Sequence, residues 1–407
     1  MVNVINQLHA NISSSIKNGE GSHVTYIIGN NGTGKSRILA ELAQHYGLAD
    51  QGHVDSVLCI SNAVTDRFKF GSSVDVKVKY LGSRTVGNAV HLTLLARSIA
   101  KNLCEGIVSS KFELFDKIKA ALGTEFYLAL PGLRKKPKSG SMVLEDLIDK
   151  RRLNGVDLND VFSEQARVWM TSLFGKNYPF SEMSVEQAGE LLKFFSFTPN
   201  VTCEIRKNNS FVSYANLSSG EQNRIALAVK LLSHADDRML VLIDEPELSL
   251  HVQWQAEFHR FLGRLLAGYK NYHVVVATHS PVIVSEAAKD MPGESRSIIL
   301  LEESEVSDAS DISCRVASAD DIKSFDQTVL DYFKLATYNS PYIDMKIAEI
   351  MLEAANSNGL TQEVERNIDE LDALRAVKKV TDETDAAILE AIDLIQRHFA
   401  HKTERAS

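Results

Sequence analysis

The sequence predicts an α/β fold, a mixed sheet with flanking helices, and three stretches carry that prediction. Met239–Asp244 and Tyr272–Thr278 are runs of mostly branched apolar residues that end in polar ones, the pattern of strands buried on both faces. The third is a strand pattern, His23–Ile28, that runs directly into Gly29-Asn30-Asn31-Gly32-Thr33-Gly34-Lys35-Ser36 and then into a helical pattern. Strand, glycine-rich turn and helix in that order make the unit from which parallel sheets are built.

The composition sets bounds on what surrounds this core. A chain of 407 residues with 44% hydrophobic residues has ample apolar material for one large domain or two ordinary ones. Its formal charge of −9, from 44 basic and 53 acidic residues, argues against a protein that coats nucleic acid by bulk electrostatics and leaves room only for a local basic groove. Cys59, Cys104, Cys203 and Cys314 have neither paired nor metal-type spacing and read as buried thiols in a reducing compartment. No apolar run approaches the ~18 residues of a membrane span, and no basic stretch leads into an apolar one at the amino terminus. A cytoplasmic location without a membrane partner is the expectation.

In chain order, Val4–Ile16 carries a helical stripe at Val4, Ile5, Leu8, Ile12 and Ile16. The helix after the glycine-rich turn spans Ser36–Tyr46 and is stopped by Gly47. Val54–Ile60 reads as a buried strand, and Val74–Tyr80 alternates strictly, as a half-exposed strand does. From Asn88 to Phe197 the pattern turns helical, with helices over Ala89–Cys104, Lys111–Leu122, Val143–Arg152, Asp160–Phe174 and Val185–Phe195. Among them Pro131–Gly140 is a basic loop holding Arg134, Lys135, Lys136 and Lys138, read as solvated because no aromatic residue interleaves it.

Val201–Arg206 and Phe211–Tyr214 form a hairpin, and Leu217-Ser218-Ser219-Gly220-Glu221-Gln222 opens a helix over Arg224–His234. Trp254–Ala267 is amphipathic, and Ile298–Leu301 is a last strand. The chain then becomes acidic, with Asp308, Asp311, Asp320 and Asp321 read as a loop cluster. Helices follow at Ile343–Ala355, Gln362–Ala373 and Asp382–His398. The domain plan is therefore residues 1–87 as a first lobe, 88–200 as an inserted helical subdomain, 201–305 as a second lobe and 306–407 as a helical region.

The motif at residues 29–36 has a mechanism. Glycines let the backbone curl so that several N–H groups face one anion, and the next helix turns its positive end toward the same point. Lys35 suits the β- and γ-phosphates of a nucleotide, and the Ser36 hydroxyl suits Mg²⁺. Asp244 and Glu245 stand at the C-terminal tip of their strand, where open α/β sheets place ligands. His279 follows the next strand directly.

Phosphate loop, LSSGEQ, DEPELSLH and ATHSP in this order resemble the ATPase head of the ABC superfamily, in the branch shared by SMC, RecF and the OLD-, Septu- and PARIS-type phage-defence ATPases. The resemblance covers residues 23–100 and 200–300. It implies ATP and Mg²⁺ as cofactors, residues 29–36 as the phosphate cradle, and Ser36 with Asp244 as metal ligands. Glu245 would be the general base and His279 the switch that senses the γ-phosphate. Ser218, Ser219, Gly220, Glu221 and Gln222 would form the signature loop that contacts nucleotide held by a second protomer, so a homodimer or higher even oligomer is implied. The family's Q-loop glutamine and adenine-packing strand pair are not recognisable.

Two functions are open at this point. One is an ATP-hydrolysing switch subunit that controls a separate effector, a nuclease or other toxin, in anti-phage defence. It is favoured because the residues after 305 contain no nuclease signature. The other is a DNA-repair or chromosome-maintenance head that clamps DNA through Arg134–Lys138 and Lys150, Arg151 and Arg152.

Overall fold

The computed structural model describes residues 2–19, 23–30, 32–48, 53–61, 63, 66–68, 77–82, 92–130, 144, 148, 155–198, 201–207, 210–248, 250–291, 297–303, 312–322, 328–329, 341–356, 366, 368–369, 372 and 382–406. They fall into two compact units. The larger comprises residues 2–27 and 34–278, the smaller residues 28–33 and 279–407. The architecture is mixed α/β, and its main sheet of seven strands is mostly parallel, as the sequence predicts.

In the larger unit, β1 (Val24–Gly29, of which residues 24–27 belong here) lies beside β9 (His273–Thr278). Next come β8 (Met239–Asp244), β2 (Ser56–Ser61) and β3 (Val78–Tyr80), with β9, β8, β2 and β3 mutually parallel. Every residue of β8 and of β9 is buried. The register places Ser61 opposite Asp244, and Asp244 opposite Ala277, so the polar ends of three strands meet at one edge. Burying five large apolar side chains on β8 contributes on the order of 10 kcal/mol before chain entropy is counted.

Helix α8 (Ser219–Leu232) is the hub of this unit. It is buried almost all round from Ile225 to Leu232 and packs on β2, on α3 (Leu92–Val108), α4 (Glu113–Leu122) and α10 (Phe258–Leu266). A helix apolar on every side belongs in an interior. The predicted strand over residues 74–80 is seen over Val78–Tyr80, its first residues lying outside those described.

The inserted region departs from the all-helical expectation. Glu125–Ala129 (β4) and Asn177–Pro179 (β5) are strands, in an antiparallel sheet of order β5-β4-β6-β7 with β6 (Thr202–Lys207) and β7 (Ser210–Ser213). Gly123, at φ +63°, ends α4 in the left-handed region, and the short run after it gains its structure from pairing with β6, residues distant in sequence. The helix predicted over Asp160–Phe174 is two, α5 (Leu158–Val161) and α6 (Glu164–Ser172), because Ser163 caps α6 by accepting a hydrogen bond from the Ala166 N–H. α7 (Val185–Phe194) begins with a capping box between Ser184 and Gln187. The helix predicted over Trp254–Ala267 likewise divides into α9 (Val252–Ala256) and α10, the break falling at Glu257. The basic loop and the helix expected over Val143–Arg152 lie almost wholly outside the described residues.

In the smaller unit, α11 (Pro281–Asp290) starts with Ser280 as its cap and proline in the first turn. β10 (Ile298–Glu303) pairs antiparallel with β11 (Ile312–Ala317), a strand the sequence reading passed over as acidic loop. Of the predicted acidic cluster, Asp321 closes a capping box on Ser318, while Asp308 and Asp311 lie outside the described residues. α12 (Pro341–Asn356) and α13 (Asp382–Ala406) pack through Ile350, Ala354, Ile388, Ile395 and Phe399. Among the described residues no helix is long and apolar enough to cross a membrane.

The larger unit also buries two neutral histidines. His273 Nδ1 is 2.9 Å from Ser15 Oγ and its Nε2 is 3.0 Å from Thr25 Oγ1, while His234 Nε2 lies 2.9 Å from Asn102 Oδ1. Burial first, then His23 for the one and lysines for the other, pushes both pKa values from 6.5 to about 3. Below the unfolded value the unfolded chain binds protons that the folded chain refuses, so stability falls as pH falls, by about 1.4 kcal/mol per pH unit for each group. Urea unfolding at about pH 7.5 and about pH 5.5 should differ by roughly 2–3 kcal/mol from these two side chains, and His273→Gln should remove about half of that difference.

Candidate active site

Gly34 opens α2 (Lys35–Gly47) with φ +88°, and Gly32 has φ +92°, conformations that side chains other than hydrogen adopt at a cost. In the smaller unit, a Cβ on Gly29 would stand 2.7 Å from the Leu301 carbonyl oxygen and 2.8 Å from Thr33 Oγ1. The Thr33 hydroxyl donates to the Asn30 carbonyl at 2.9 Å and closes the turn. Asn31 lies outside the described residues.

In the larger unit the first turn of α2 meets the tip of β8. Ser36 Oγ donates to Asp244 Oδ1 at 3.1 Å. Asp244 is 1% exposed, and burial pushes its pKa up to about 7, against the Ser36 hydrogen bond, with Glu245 and Asp66 adding to the rise. Lys35 is buried as well; burial lowers its pKa, while Glu245, Glu247 and Asp244 oppose that. A cation, a hydroxyl and a cluster of carboxylates therefore share one edge of the sheet, at the positive end of a helix.

Glu245 has φ +49°, in the left-handed region that non-glycine residues seldom adopt. Its N–H donates to the Ala277 carbonyl at 2.9 Å, which holds the chain as it turns off the strand. Asn223 of α8 donates to the Leu248 carbonyl at 2.9 Å and ties the turn after β8 to the start of that helix. His279 follows Thr278, the last residue of β9, and is half-buried in the smaller unit.

The signature segment is arranged by hydrogen bonds of its own. Ser218 caps α8, accepting from the Glu221 N–H, and Glu221 accepts in return from the Ser218 N–H, a capping box. Lys207 Nζ lies 2.6 Å from Glu221 Oε1. Gln222, expected to face nucleotide, is turned inward. Its amide donates to the carbonyls of Tyr214, Ala215 and Leu217 at 3.0–3.2 Å, and the Tyr214 hydroxyl donates to the Gln222 carbonyl at 2.8 Å. This glutamine holds the loop in shape, whereas Ser218 and Ser219 are exposed.

Two residues that sequence reasoning missed complete the cluster. Asp66, buried just beyond β2, accepts from the Tyr80 hydroxyl at 2.8 Å and from the Phe68 N–H at 3.1 Å. Lys230, in the last turn of α8, is buried; burial lowers its pKa to about 8 and Asp66 opposes that fall. A lone aspartate in a loop and a lysine in an apolar helix carry no motif. The one legible hint was a charged residue on an otherwise apolar helix face.

The donor set fits Mg²⁺, a hard cation that takes oxygen ligands and in phosphate sites needs only one or two from protein. Ser36 and Asp244 supply two adjacent oxygens, and the rise in the Asp244 pKa is the mark of a buried carboxylate that a cation would stabilise. Among the described residues no group of three or more His, Cys, Asp and Glu side chains is disposed to hold a metal unaided.

The mixed α/β architecture, with its mostly parallel sheet, is consistent with a P-loop ATPase fold. Residues 112–285, which include the signature segment, the tip of β8 and His279, match the family described as "AAA domain, putative AbiEii toxin, Type IV TA system". Three curated proteins are similar. The "Retron Vc95 probable ATPase" of Vibrio cholerae serotype O1 biovar El Tor is 25% identical over 166 residues, 38% of this chain and 30% of that protein. "Protein ea59" of Escherichia phage lambda is 37% identical over 73 residues, 18% of this chain and 14% of its own. The "Retron Ec83 probable ATPase" of Escherichia coli is 33% identical over 90 residues, 19% of this chain and 16% of its own. The chain thus spans less than a third of the length of each relative it matches.

Two outcomes follow from this geometry. Lys35→Ala removes the cation of the cluster and should weaken ATP binding roughly tenfold or more by titration calorimetry, and unchanged affinity would refute the phosphate-loop assignment. Asp66→Asn leaves Lys230 without its counter-charge in the interior, so denaturant unfolding should show a loss of about 3 kcal/mol. Adding Lys230→Met to that variant should restore part of the loss.

Proposed function

We propose that the chain is an ATP-binding and ATP-hydrolysing switch subunit that dimerises around nucleotide and controls a separate effector protein, in bacterial anti-phage defence. The observation that carries the ATPase part is the hydrogen bond from Ser36 to Asp244, which brings the head of the glycine-rich turn to the acidic tip of β8. The retron ATPase names of two relatives and the toxin–antitoxin description of the matched family support the defence setting.

Phosphoryl transfer asks a protein for positioning and charge neutralisation more than for covalent chemistry. Lys35 and the N–H groups at the head of α2 bind the phosphates. Mg²⁺, when bound at Ser36 and Asp244, supplies further neutralisation. Glu245 orients a water and accepts its proton as the water oxygen attacks the γ-phosphorus, while the bond to the bridging oxygen breaks and ADP leaves. In this reading the exposed Ser219 and the half-buried Gly220, at the start of α8, contact nucleotide held by a second protomer. The DNA-clamp reading draws on basic residues outside those described, and no observation favours it.

Glu245→Gln should keep nucleotide affinity and slow hydrolysis at least a hundredfold, by roughly the general-base contribution; turnover at the wild-type rate would remove Glu245 from the mechanism. Ser219→Arg should bind ATP yet fail to hydrolyse it. Mixing the two inactive chains creates one composite site with both wild-type residues, so part of the activity should return. Its absence in verified mixed dimers would count against a shared site.

A further inference from the structure

The larger unit holds a cavity of 280 Å³ between the end of α4, β6 and the start of α8. Arg206, Lys207, Glu221, Arg224 and Trp254 line it, and Leu217 and Ile225 give it apolar surface. The volume is that of a small-molecule pocket, and the mixture of apolar wall and a few convergent charges is the usual chemistry of one. Arg206 also pairs with Glu125, outside the lining, at 3.9 Å; within the lining three cations face a single carboxylate, in a chain whose formal charge is −9. That carboxylate, Glu221, is already committed to Lys207 at 2.6 Å and to the Ser218 cap.

Arg224 is the unusual member. Its guanidinium lies over the Trp254 ring, 2.9 Å from the centroid, and 4.9 Å from that of Phe261. Among the described residues it makes no hydrogen bond or ion pair. Burial pushes its pKa down to about 10, with Glu257 opposing. A guanidinium has five donors in a fixed fork that suits carboxylate or phosphate oxygens, and stacking on rings satisfies none of them. Arg224 and Trp254 also wall an inner cavity whose other lining includes Ser61, Asn223, Asp244 and Pro246. One stacked pair is thus shared by a pocket at the surface and by the space beside the metal-binding acid.

We propose that the outer cavity binds a small organic anion, a carboxylate or phosphate on an apolar body, with Arg224 and Arg206 holding the charge and Trp254, Leu217 and Ile225 the body. Because the Arg224–Trp254 pair walls both cavities, occupancy repositions it against the turn after β8 and so regulates the site at Asp244. The regulation, though not the binding, rests on the ATPase reading above.

The test uses the full chain with Trp169→Phe, which leaves Trp254 as the sole tryptophan. Phenyl phosphate, 3-phenylpropanoate, inorganic phosphate and benzyl alcohol are titrated separately, following tryptophan emission, with circular dichroism to verify folding. A saturable change is expected with one or both aryl anions, reporting which anionic group the pocket takes, and at least tenfold weaker binding for inorganic phosphate and for the alcohol. Arg206→Gln and Arg224→Gln should each weaken aryl-anion binding at least fivefold, and Lys35→Ala should leave it unchanged. No saturable response to either aryl anion, a response insensitive to both arginine variants, or one lost in Lys35→Ala would overturn the site. At saturating anion, ATP turnover of the wild-type chain should change at least twofold, and that of Arg206→Gln should not; binding without any change in turnover would overturn the regulation. A chain that binds the anion but never hydrolyses ATP would instead defeat the ATPase reading and leave the pocket standing.

Discussion

A carboxylic acid at the end of a wholly buried strand is the constraint on which the rest of this structure depends. β8 is apolar along five residues and then presents Asp244, which is as buried as the strand itself. An acid in such a place must receive donors or cations, or stay protonated. Ser36 gives it a hydrogen bond and Lys35 a nearby charge, and both come from the head of a helix that a left-handed glycine sets at that point. The requirements of one side chain therefore explain why a turn more than two hundred residues earlier in the sequence needs its glycines.

The second organising element is α8. Its first turn is polar and begins exposed at Ser219, and from Ile225 onward it is core, so a single helix connects a surface loop to the interior of the larger unit. Gln222 secures the loop from within, through three carbonyls, and Asn223 reaches the turn after β8. A short polar string can thus hold two kinds of residue at adjacent positions: those left exposed at the surface and those that shape the loop. The string itself does not distinguish them, because an amide serves equally well as a phosphate donor and as a donor to backbone oxygens.

Much of the fold could be read from pattern alone. β8, β9 and β1 are long, apolar and flanked by turn chemistry, and the phosphate loop, the acidic tip and the start of α8 were each anchored by a motif. β4, β5 and β11 were missed because each is a short strand whose antiparallel partner, not its own periodicity, decides its state. The two long helices that proved to be pairs were broken by a capping serine in one case and near Glu257 in the other, local events that an apolar stripe passes over. The roles of Asp66, Lys230 and Arg224 could not be read for a different reason. Each matters through a partner brought close only by folding, and a single charged residue in a sequence does not announce its neighbour.

The left-handed backbone at Glu245 has a consequence for how this protein tolerates change. The position is one where glycine or asparagine relieves backbone strain, on the order of 1 kcal/mol, and where any β-branched residue adds to it. With Glu245 as the general base proposed above, thermal robustness and chemistry pull this residue in opposite directions. A population of variants screened only for heat resistance would drift toward the unstrained choices and lose the acid, while one screened for turnover would keep glutamate and make up its stability elsewhere in the core.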